Sequence, residues 1–574
     1  MRRILMSLLI CSALVSLAAT PSQSDFIPLS SQFYSEFDTL MTAIGKEVNM
    51  TRPYTYGEAG RMVDSIDPYS LKPAEKRIYD YLQEETEVLA SDEKVFTFDA
   101  FMTIQPEIYL HSNPEIFRDP IEETEDQKLI YTYQNRDKYM LWDREKPHLL
   151  DADLSLSVKD RVTLLFRVPV TNTVHTGVPS GSRIFMTNIP FLASPLDLTA
   201  DVIQDFSMNF PYRAYISIAD SWYSIQIGRE QLNYGAGITG NFVIDSSLPY
   251  HNALSLSFFS ETFKYTFLLS FFPHPSQYIV TDSAQDGNMH DTDLVFDQNK
   301  NAFTGTKMFM SHRFDWTMGN GRHRMAITEG IMYQNDKGFL DLQILNPMMF
   351  FHNMYIAGNS NSILQVEWDM VLAKGIKQHL ALAIDDFNIP FEGEDGSKPR
   401  PNAVGLQYGI NTSHALGDGF IEGEAEVTYI SPYFYLRDGK LASDYPLDFV
   451  VAIRNQRSGE GVYDLYSIGY PNGGDQTIAH IAISYKVPFS YSAKLTGEYR
   501  MFGKNNLMTK YDSEENENAV MSHMLTIRGE GSYFIMENLE IMAGLEGRMI
   551  FAFDNIKDNF CSDVLFSIGM KYTL

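Results

Sequence analysis

Ser311 and His312 are the first residues to weigh as chemistry, because a serine hydroxyl beside an imidazole begins a nucleophile–base pair. Neighbours in an extended strand point to opposite faces, so this pair does not converge. No Gly-x-Ser-x-Gly elbow occurs elsewhere in the chain. Glycoside hydrolysis needs two carboxylates at a defined separation. With 73 acidic residues some pair always qualifies, so the pattern is empty. The 13 histidines show no metal-ligand spacing, and Asp282, Asp286, Asp291, Asp293 and Asp297 lack the spacing of a helix-loop-helix calcium site. The expectation is therefore a protein without catalysis, metal or cofactor. Recognition is what remains. Tyr131, Tyr133, Tyr139 and Trp142, beside Arg136, Asp137 and Asp143, are of the kind that stack on and hydrogen-bond sugar rings.

These residues need a scaffold, and the chain ends indicate one. Arg2 and Arg3 precede an apolar run from Ile4 to Val15, followed by small residues through Ala18, Ala19 and Ser24. The run is too short for a stable membrane span and reads as an export signal over residues 1–24. Cleavage is expected after Ser24, giving a mature start at Asp25, or after Ala18. At the other end, Phe566, Ile568, Met570, Tyr572 and Leu574 alternate with Ser567, Gly569, Lys571 and Thr573. A final strand with one greasy and one wet face suits a closed membrane barrel, although a soluble sheet can show the same alternation.

Composition narrows the choice. The mature chain keeps one cysteine, Cys561, which excludes an intramolecular disulfide. No later apolar stretch reaches the length of a transmembrane helix. The net charge of −28 argues against nucleic acid, whose phosphates need Lys and Arg. The 33 Tyr and 38 Phe supply the interfacial girdles of a membrane barrel, a role open to the tyrosines of 113–147 as well.

Residues 25–92 read as a small helical bundle. Phe33, Phe37, Leu40 and Ile44 share a helix face. Thr55-Tyr-Gly-Glu58 reads as a capping box opening a second helix with Ala59, Met62, Val63 and Ile66, which Asp67-Pro68 stops. A third helix starts near Pro73 and carries Ile78, Leu82 and Leu89. Three short amphipathic helices bury little alone, so they must pack on something larger.

Residues 93–574 change to a period of two. Phe263, Tyr265, Phe267, Leu269 and Phe271 oppose Lys264, Thr266 and Ser270. Leu364, Val366, Trp368 and Met370 oppose Gln365, Glu367 and Asp369, and Ile421, Val427 and Tyr429 oppose Glu422, Glu424 and Glu426. Later strands set opposed charges on the wet face: Glu498 with Arg500, Arg528 with Glu530, Glu546 with Arg548. Such pairs fit a crowded lumen, where neighbouring strands neutralise them. At about 25–30 residues per strand and loop, the region holds roughly sixteen to eighteen strands. Long loops are expected at 113–147, 273–303, 390–400 and 503–520.

Three blocks carry a family resemblance. The first runs from Ile27-Pro28-Leu29 through Arg52-Pro53-Tyr54 and Glu58-Ala59 to Leu82. The second is Ile227-Gly228-Arg229-Glu230-Gln231-Leu232-Asn233-Tyr234-Gly235-Ala236-Gly237, then Gly240-Asn241 and Ser246. The third runs from His312-Arg313 through Thr328-Glu329-Gly330, Asn346-Pro347 and Tyr355 to Asp385-Asp386-Phe387. In this order the chain resembles the Wzi-type capsule assembly proteins of bacterial outer membranes. The resemblance implies an eighteen-stranded barrel, a helical bundle covering its periplasmic side, and surface polysaccharide held at external loops with no bond made or broken.

Bottom-up, Gly228, Gly235, Gly237 and Gly240 allow a tight turn or bulge, which Arg229 and Glu230 could anchor. The architectural reading of this block outweighs ligand contact. Asn346-Pro347 ends a strand, and Asp385-Asp386 either binds a cation or sugar hydroxyl or solvates a loop. The expectation is thus an all-β transmembrane antiparallel barrel with a small N-terminal helical domain. It would be monomeric, delivered by the barrel-assembly machinery and embedded in outer-membrane lipid or lipopolysaccharide. Its helices would lie in the periplasm and its ligand would be surface polysaccharide, with a diffusion channel or a ligand-free structural barrel as alternatives.

Overall fold

A computed structural model describes residues 21–87, 95–113, 147–170, 185–189, 212–275, 279–280, 293–294, 305–335, 360–386, 402–436, 447–457, 460–505, 507 and 520–574. Among these, eighteen antiparallel strands close into a barrel. The first, Phe96–Ile104 continued by Glu107–His111, pairs with the last, Phe560–Thr573, and shuts the cylinder. Closure leaves no unpaired sheet edge, the condition for strands to cross hydrocarbon.

The alternation predicts each face correctly. Val427 and Tyr429, Leu495 and Tyr499, Ile527 and Tyr533, and Phe566, Ile568 and Met570 are exposed on the outside. Glu426, Glu546, Arg548 and Asp369 are buried on the inside. The opposed charges pair as anticipated: Arg500 with Glu498, Arg528 with Glu530 and Glu546, Arg548 with Glu546. Phe267 faces outward too, but is buried in a cluster with Leu269, Met310 and Ile331.

Short turns lie at one end. Val158–Val162, Asp220–Tyr223, Ala373–Ile376, Leu416–Gly419 and Met536–Leu539 each join two wall strands there. The helical segment occupies that same end. Its helices are α1 (Gln32–Ile44), α2 (Tyr56–Asp64) and α3 (Pro73–Thr86). Phe33, Phe37, Leu40, Ala59, Ile78 and Leu82 form a common core, and Phe420 from the barrel wall completes it. Ser31 caps α1, and Gly45 ends it in a left-handed conformation at φ 71°. Thr55 Oγ1 accepts from Glu58 N at 3.1 Å, as a cap should. The other half of that expected box is different: the Glu58 carboxylate reaches Lys264 at 2.8 Å rather than back to the cap. A lysine buried in the wall needs a counter-charge more than the cap needs a second acceptor.

One further element departs from expectation. Val450–Arg457 and Glu460–Ser467 form a hairpin that pairs only with itself, apart from the wall. Phe449, Val450, Val451, Ala452 and Ile453 are all buried. A run with no wet face cannot be a wall strand, because a wall strand needs one side for lumen and one for lipid.

The amino-terminal approach is also anchored in the lumen. Ser24 Oγ meets Thr163 Oγ1 at 2.8 Å, and Ser217 Oγ donates to the Ser24 carbonyl. Tyr215 donates its hydroxyl to the Asp25 carboxylate, and Ser22 is buried with them. Of the two cleavage points, the one after Ala18 keeps these contacts, and we propose it. Intact mass of the membrane-isolated protein is expected to place the mature start at Ala19; a start at Asp25 would contradict this packing.

Asp25 itself is pushed up to about 6 by burial, against the opposing pull of Tyr215 and Arg213. An acid with a raised folded pKa favours docking when protonated. The stabilisation is complete below its ordinary 3.8 and is lost as pH rises through about 6. Asp25→Asn is therefore expected to match the parent at pH 4 and to hold residues 22–26 more tightly at pH 8, read by amide hydrogen exchange. Equal protection at both pH values would refute it.

Candidate functional site

Two buried arginines organise the lumen. Arg313 grips Glu367 with two bonds, Nη1 to Oε1 at 2.6 Å and Nη2 to Oε2 at 3.0 Å. Arg324 binds Asp315 at 2.9 Å and reaches Glu367 and Asp369 with its other nitrogens. All five side chains project inward from neighbouring strands, Thr306–Met318, His323–Asn335 and Ser360–Ala373. Forked guanidinium–carboxylate pairing of this kind is geometrically specific. Arg313 Nε also donates to Thr51 Oγ1 at 2.9 Å, and Met50 N donates to Asp315 at 3.3 Å. The bundle is thereby tied to the ionic layer. Lys264 to Glu58 and Lys377 to Glu47 (3.3 Å) repeat the tie nearby.

The glycine block folds into the same space. Thr51–Arg52 pairs with Asn233–Tyr234 as a short antiparallel ladder. All three sequence blocks thus converge: Arg52 from the first, Asn233 and Tyr234 from the second, Arg313 from the third. Gly235 is required here. At φ 138° a Cβ would fall 2.1 Å from Asn241 Oδ1. Gly228, at φ 143°, would meet the Ala214 carbonyl at 2.2 Å, within the wall where it pairs with Tyr215 and Ala253. Gly237 lies against Gly240 and Gln407, and its N–H donates to Asn241 Oδ1 at 3.1 Å. Glu230 anchors the turn through Arg213 at 2.8 Å. Arg229 instead donates to Asn252 Oδ1 at 2.9 Å and stacks on the Tyr250 ring.

Glu426 fixes the tip of this loop. It accepts from Ile238 N at 2.7 Å, Thr239 N at 2.9 Å and Gln407 Nε2 at 3.1 Å, and pairs with His379 at 2.7 Å. Tyr435 donates to the Phe242 carbonyl at 2.6 Å, and Asp385 accepts from Tyr435 N at 2.7 Å and from Asn361 Nδ2 at 3.2 Å. Asp385 is therefore part of the lumen packing. Asp386 follows a bulge in the pairing of its strand. Phe242, Ile244, Phe309, Phe434, Phe449, Ile468 and Tyr470 fill the space as one apolar core. Sequence reading missed the participation of 449–470; its unbroken apolar stretch at Phe449–Ile453 was the signal available.

Tyr131, Tyr133, Arg136, Tyr139, Trp142, Asp143, Asn346 and Pro347 lie outside the described residues. Ser311 and His312 do separate as expected: Ser311 is buried on the strand face that carries Arg313, whereas His312 pairs with Glu329 at 2.9 Å on the opposite face. Among the described residues no group of three His, Cys, Asp or Glu side chains is placed to hold a metal.

The ionic layer gives a direct test. Glu367→Ala strips both arginines of their shared counter-charge in a buried site, which costs about 3–5 kcal/mol. Loss of heat-modifiable migration or a lowered unfolding temperature in detergent is expected. Glu530→Ala, on a half-exposed pair, should change stability by less than about 1 kcal/mol. Equal effects would contradict the layer's role.

No protein-family model matches the sequence, and no curated protein matches it. Among solved structures, the chain is similar to Wzi of Escherichia coli, described as an outer-membrane protein involved in group 1 capsule assembly and a carbohydrate-binding β-barrel. The TM-score is 0.55 at 12% identity, over 96% of this chain and 99% of that one. The outer-membrane channel DcaP of Acinetobacter baumannii aligns over 84% of this chain and 99% of its own at TM-score 0.34 and 9% identity. A variant of OccD1 (OprD) aligns over 84% and 98% at TM-score 0.38 and 7% identity. The likeness to Wzi is one of fold: this chain is a closed eighteen-stranded β-barrel of the outer-membrane kind, with a helical amino-terminal segment seated in one end.

Proposed function

We propose that this protein is a non-enzymatic outer-membrane barrel that binds cell-surface, capsular-type polysaccharide and helps to anchor or assemble it. The short-turn end with its helices faces the periplasm, and the long loops face outward, as in outer-membrane barrels generally. The observation that carries the reading is the filled lumen. The helical segment, the 231–250 loop and the 450–467 hairpin interlock across one side of the barrel, which suits a rigid platform better than a wide pore. The end-to-end likeness of fold to a carbohydrate-binding barrel supports the same conclusion. The aromatic and charged residues Tyr131, Tyr133, Arg136, Tyr139, Trp142 and Asp143 are the proposed sugar contacts. Each contact is weak, so retention rests on many along one glycan chain.

A channel is the second reading. It is favoured by lumen side chains that stay half exposed, among them Lys494, Arg528 and Glu530.

A strain lacking the protein is expected to release surface glycan into the medium while synthesising the same total amount. Trp142→Ala with Tyr139→Ala should give a partial version. Unchanged release together with lost uptake of a small solute would replace this reading with the channel.

A further inference from the structure

The lumen has two unlike sectors. On the wall from Thr306 to Gln407, the inward polar side chains Arg313, Asp315, Arg324, Thr328, Glu367 and Gln407 are sealed, all at most 2% exposed. On the wall formed by Tyr491–Phe502, Ser522–Met536, Leu539–Phe551 and Phe560–Thr573, closed by Phe96–Ile104, inward side chains nearer the short turns are wet, although Glu546, Arg548 and Asp563 farther in are buried. Side-chain exposure is 36% at Lys494, 30% at Arg528 and 46% at Glu530. Phe101 is 49% exposed in the inward row, where Asp99, Phe101 and Thr103 pair with the lumen-facing Ser155, Asp153 and Asp151. Depth does not explain the contrast. Arg324 sits immediately beside its short turn and is sealed, whereas Glu530 lies deeper from its own turn and is wet.

Exposure also falls along a single strand. From the short-turn end, the inward residues of Ser522–Met536 run from Glu530 at 46% and Arg528 at 30% to Thr526 at 8%, Met524 at 5% and Ser522 at 0%. Where the water ends, an apolar cluster begins: Tyr109, Phe502, Met524, Ile550, Phe553, Cys561 and Leu565. Pairing makes it a stepped belt, with Met524 opposite Ile550 and Ile550 opposite Cys561, Phe502 opposite Ser522 one step nearer the loops, and Leu565 opposite Glu546 nearer the short turns. Arg500 flanks the belt opposite Met524. Its partner Glu498, and the paired charges of Arg548, Glu546 and Arg528, lie next towards the short turns.

We propose that this sector is an off-centre aqueous vestibule, open at the short-turn end to small hydrated ions and closed at its loop end by that apolar belt. Opposed charges along its wall keep it wetted and nearly neutral to ions of either sign. A dry apolar constriction holds back water and ions without a covalent or ionic lock. The seal against leakage is then shared. The helical segment closes one sector, and the belt formed by Ile550, Leu565 and their neighbours closes the other. This places the barrier to conduction beyond the helices, and it holds whether or not the outer loops bind glycan.

The full-length protein tests it, with Cys561 as a built-in reporter in the belt. A membrane-impermeant thiol reagent added to detergent-solubilised protein is expected to leave the parent unlabelled, to label Glu530→Cys and to spare Thr328→Cys. In planar bilayers the parent should conduct little. Ile550→Ser with Leu565→Ser should raise single-molecule conductance several-fold and expose Cys561 to the reagent, with heat-modifiable migration confirming an assembled barrel. Protection of Glu530→Cys to the same degree as Thr328→Cys overturns the vestibule. An assembled belt variant with unchanged conductance and a protected Cys561 overturns the gate. If the belt variant fails to assemble, the paired labelling of Glu530→Cys and Thr328→Cys still decides the vestibule.

Discussion

Burying Arg313 and Arg324 inside a barrel is the constraint on which the rest of this structure depends. Neither guanidinium has water to turn to, and an unpaired buried charge is prohibitive. Glu367, Asp315 and Asp369 supply the counter-charges from the wall. The amino-terminal segment adds two further bonds, Thr51 accepting from Arg313 and Met50 donating to Asp315. Wall and plug are therefore one folding problem. A barrel assembled without its plug would leave this layer short of the Thr51 and Met50 bonds, and the helices without the wall would lack the surface that Phe420 completes. Lys264 with Glu58 and Glu426 with the 238–239 backbone extend the same logic around the lumen.

A barrel filled in this way has its rigidity on one side and its water on the other. The packed sector gives the loop end a fixed base, and under the proposed function loops that hold a polymer would gain from a base that does not move. Preordering a binding surface lowers the entropy lost when a flexible chain settles on it. The wetted sector needs a different seal, and the apolar belt under the loops supplies one from ordinary wall residues. Recognition at one end and closure of the lumen are thus compatible tasks for one fold.

Much of this was legible in the residues. Period-two alternation set the inward and outward faces of the wall, because lipid and lumen impose opposite demands on successive side chains. The helical spacing of Phe33, Phe37 and Leu40, and of Ile78 and Leu82, marked the bundle core. The glycines of 228–240 read as architectural, and Gly228 and Gly235 occupy backbone conformations that a side chain would clash in. What alternation does not encode is a segment that turns inward. The 450–467 hairpin has strand-like residues, and only the unbroken apolar run Phe449–Ile453 at its start sets it apart. Partner choice was equally hidden: Glu58 had the spacing of a cap residue, but the buried Lys264 lies more than two hundred positions away. Long-range neutralisation of this kind depends on the closed barrel and leaves no local signature.

The central claim is that this filled barrel holds a surface polysaccharide without changing it. Its most direct test is calorimetric binding of purified host surface polysaccharide to the detergent-solubilised protein, with the glycan sized before and after. The account predicts saturable binding that tightens markedly with chain length, and a glycan of unaltered size. Absence of binding to long chains, or shortening of the glycan during incubation, would contradict it.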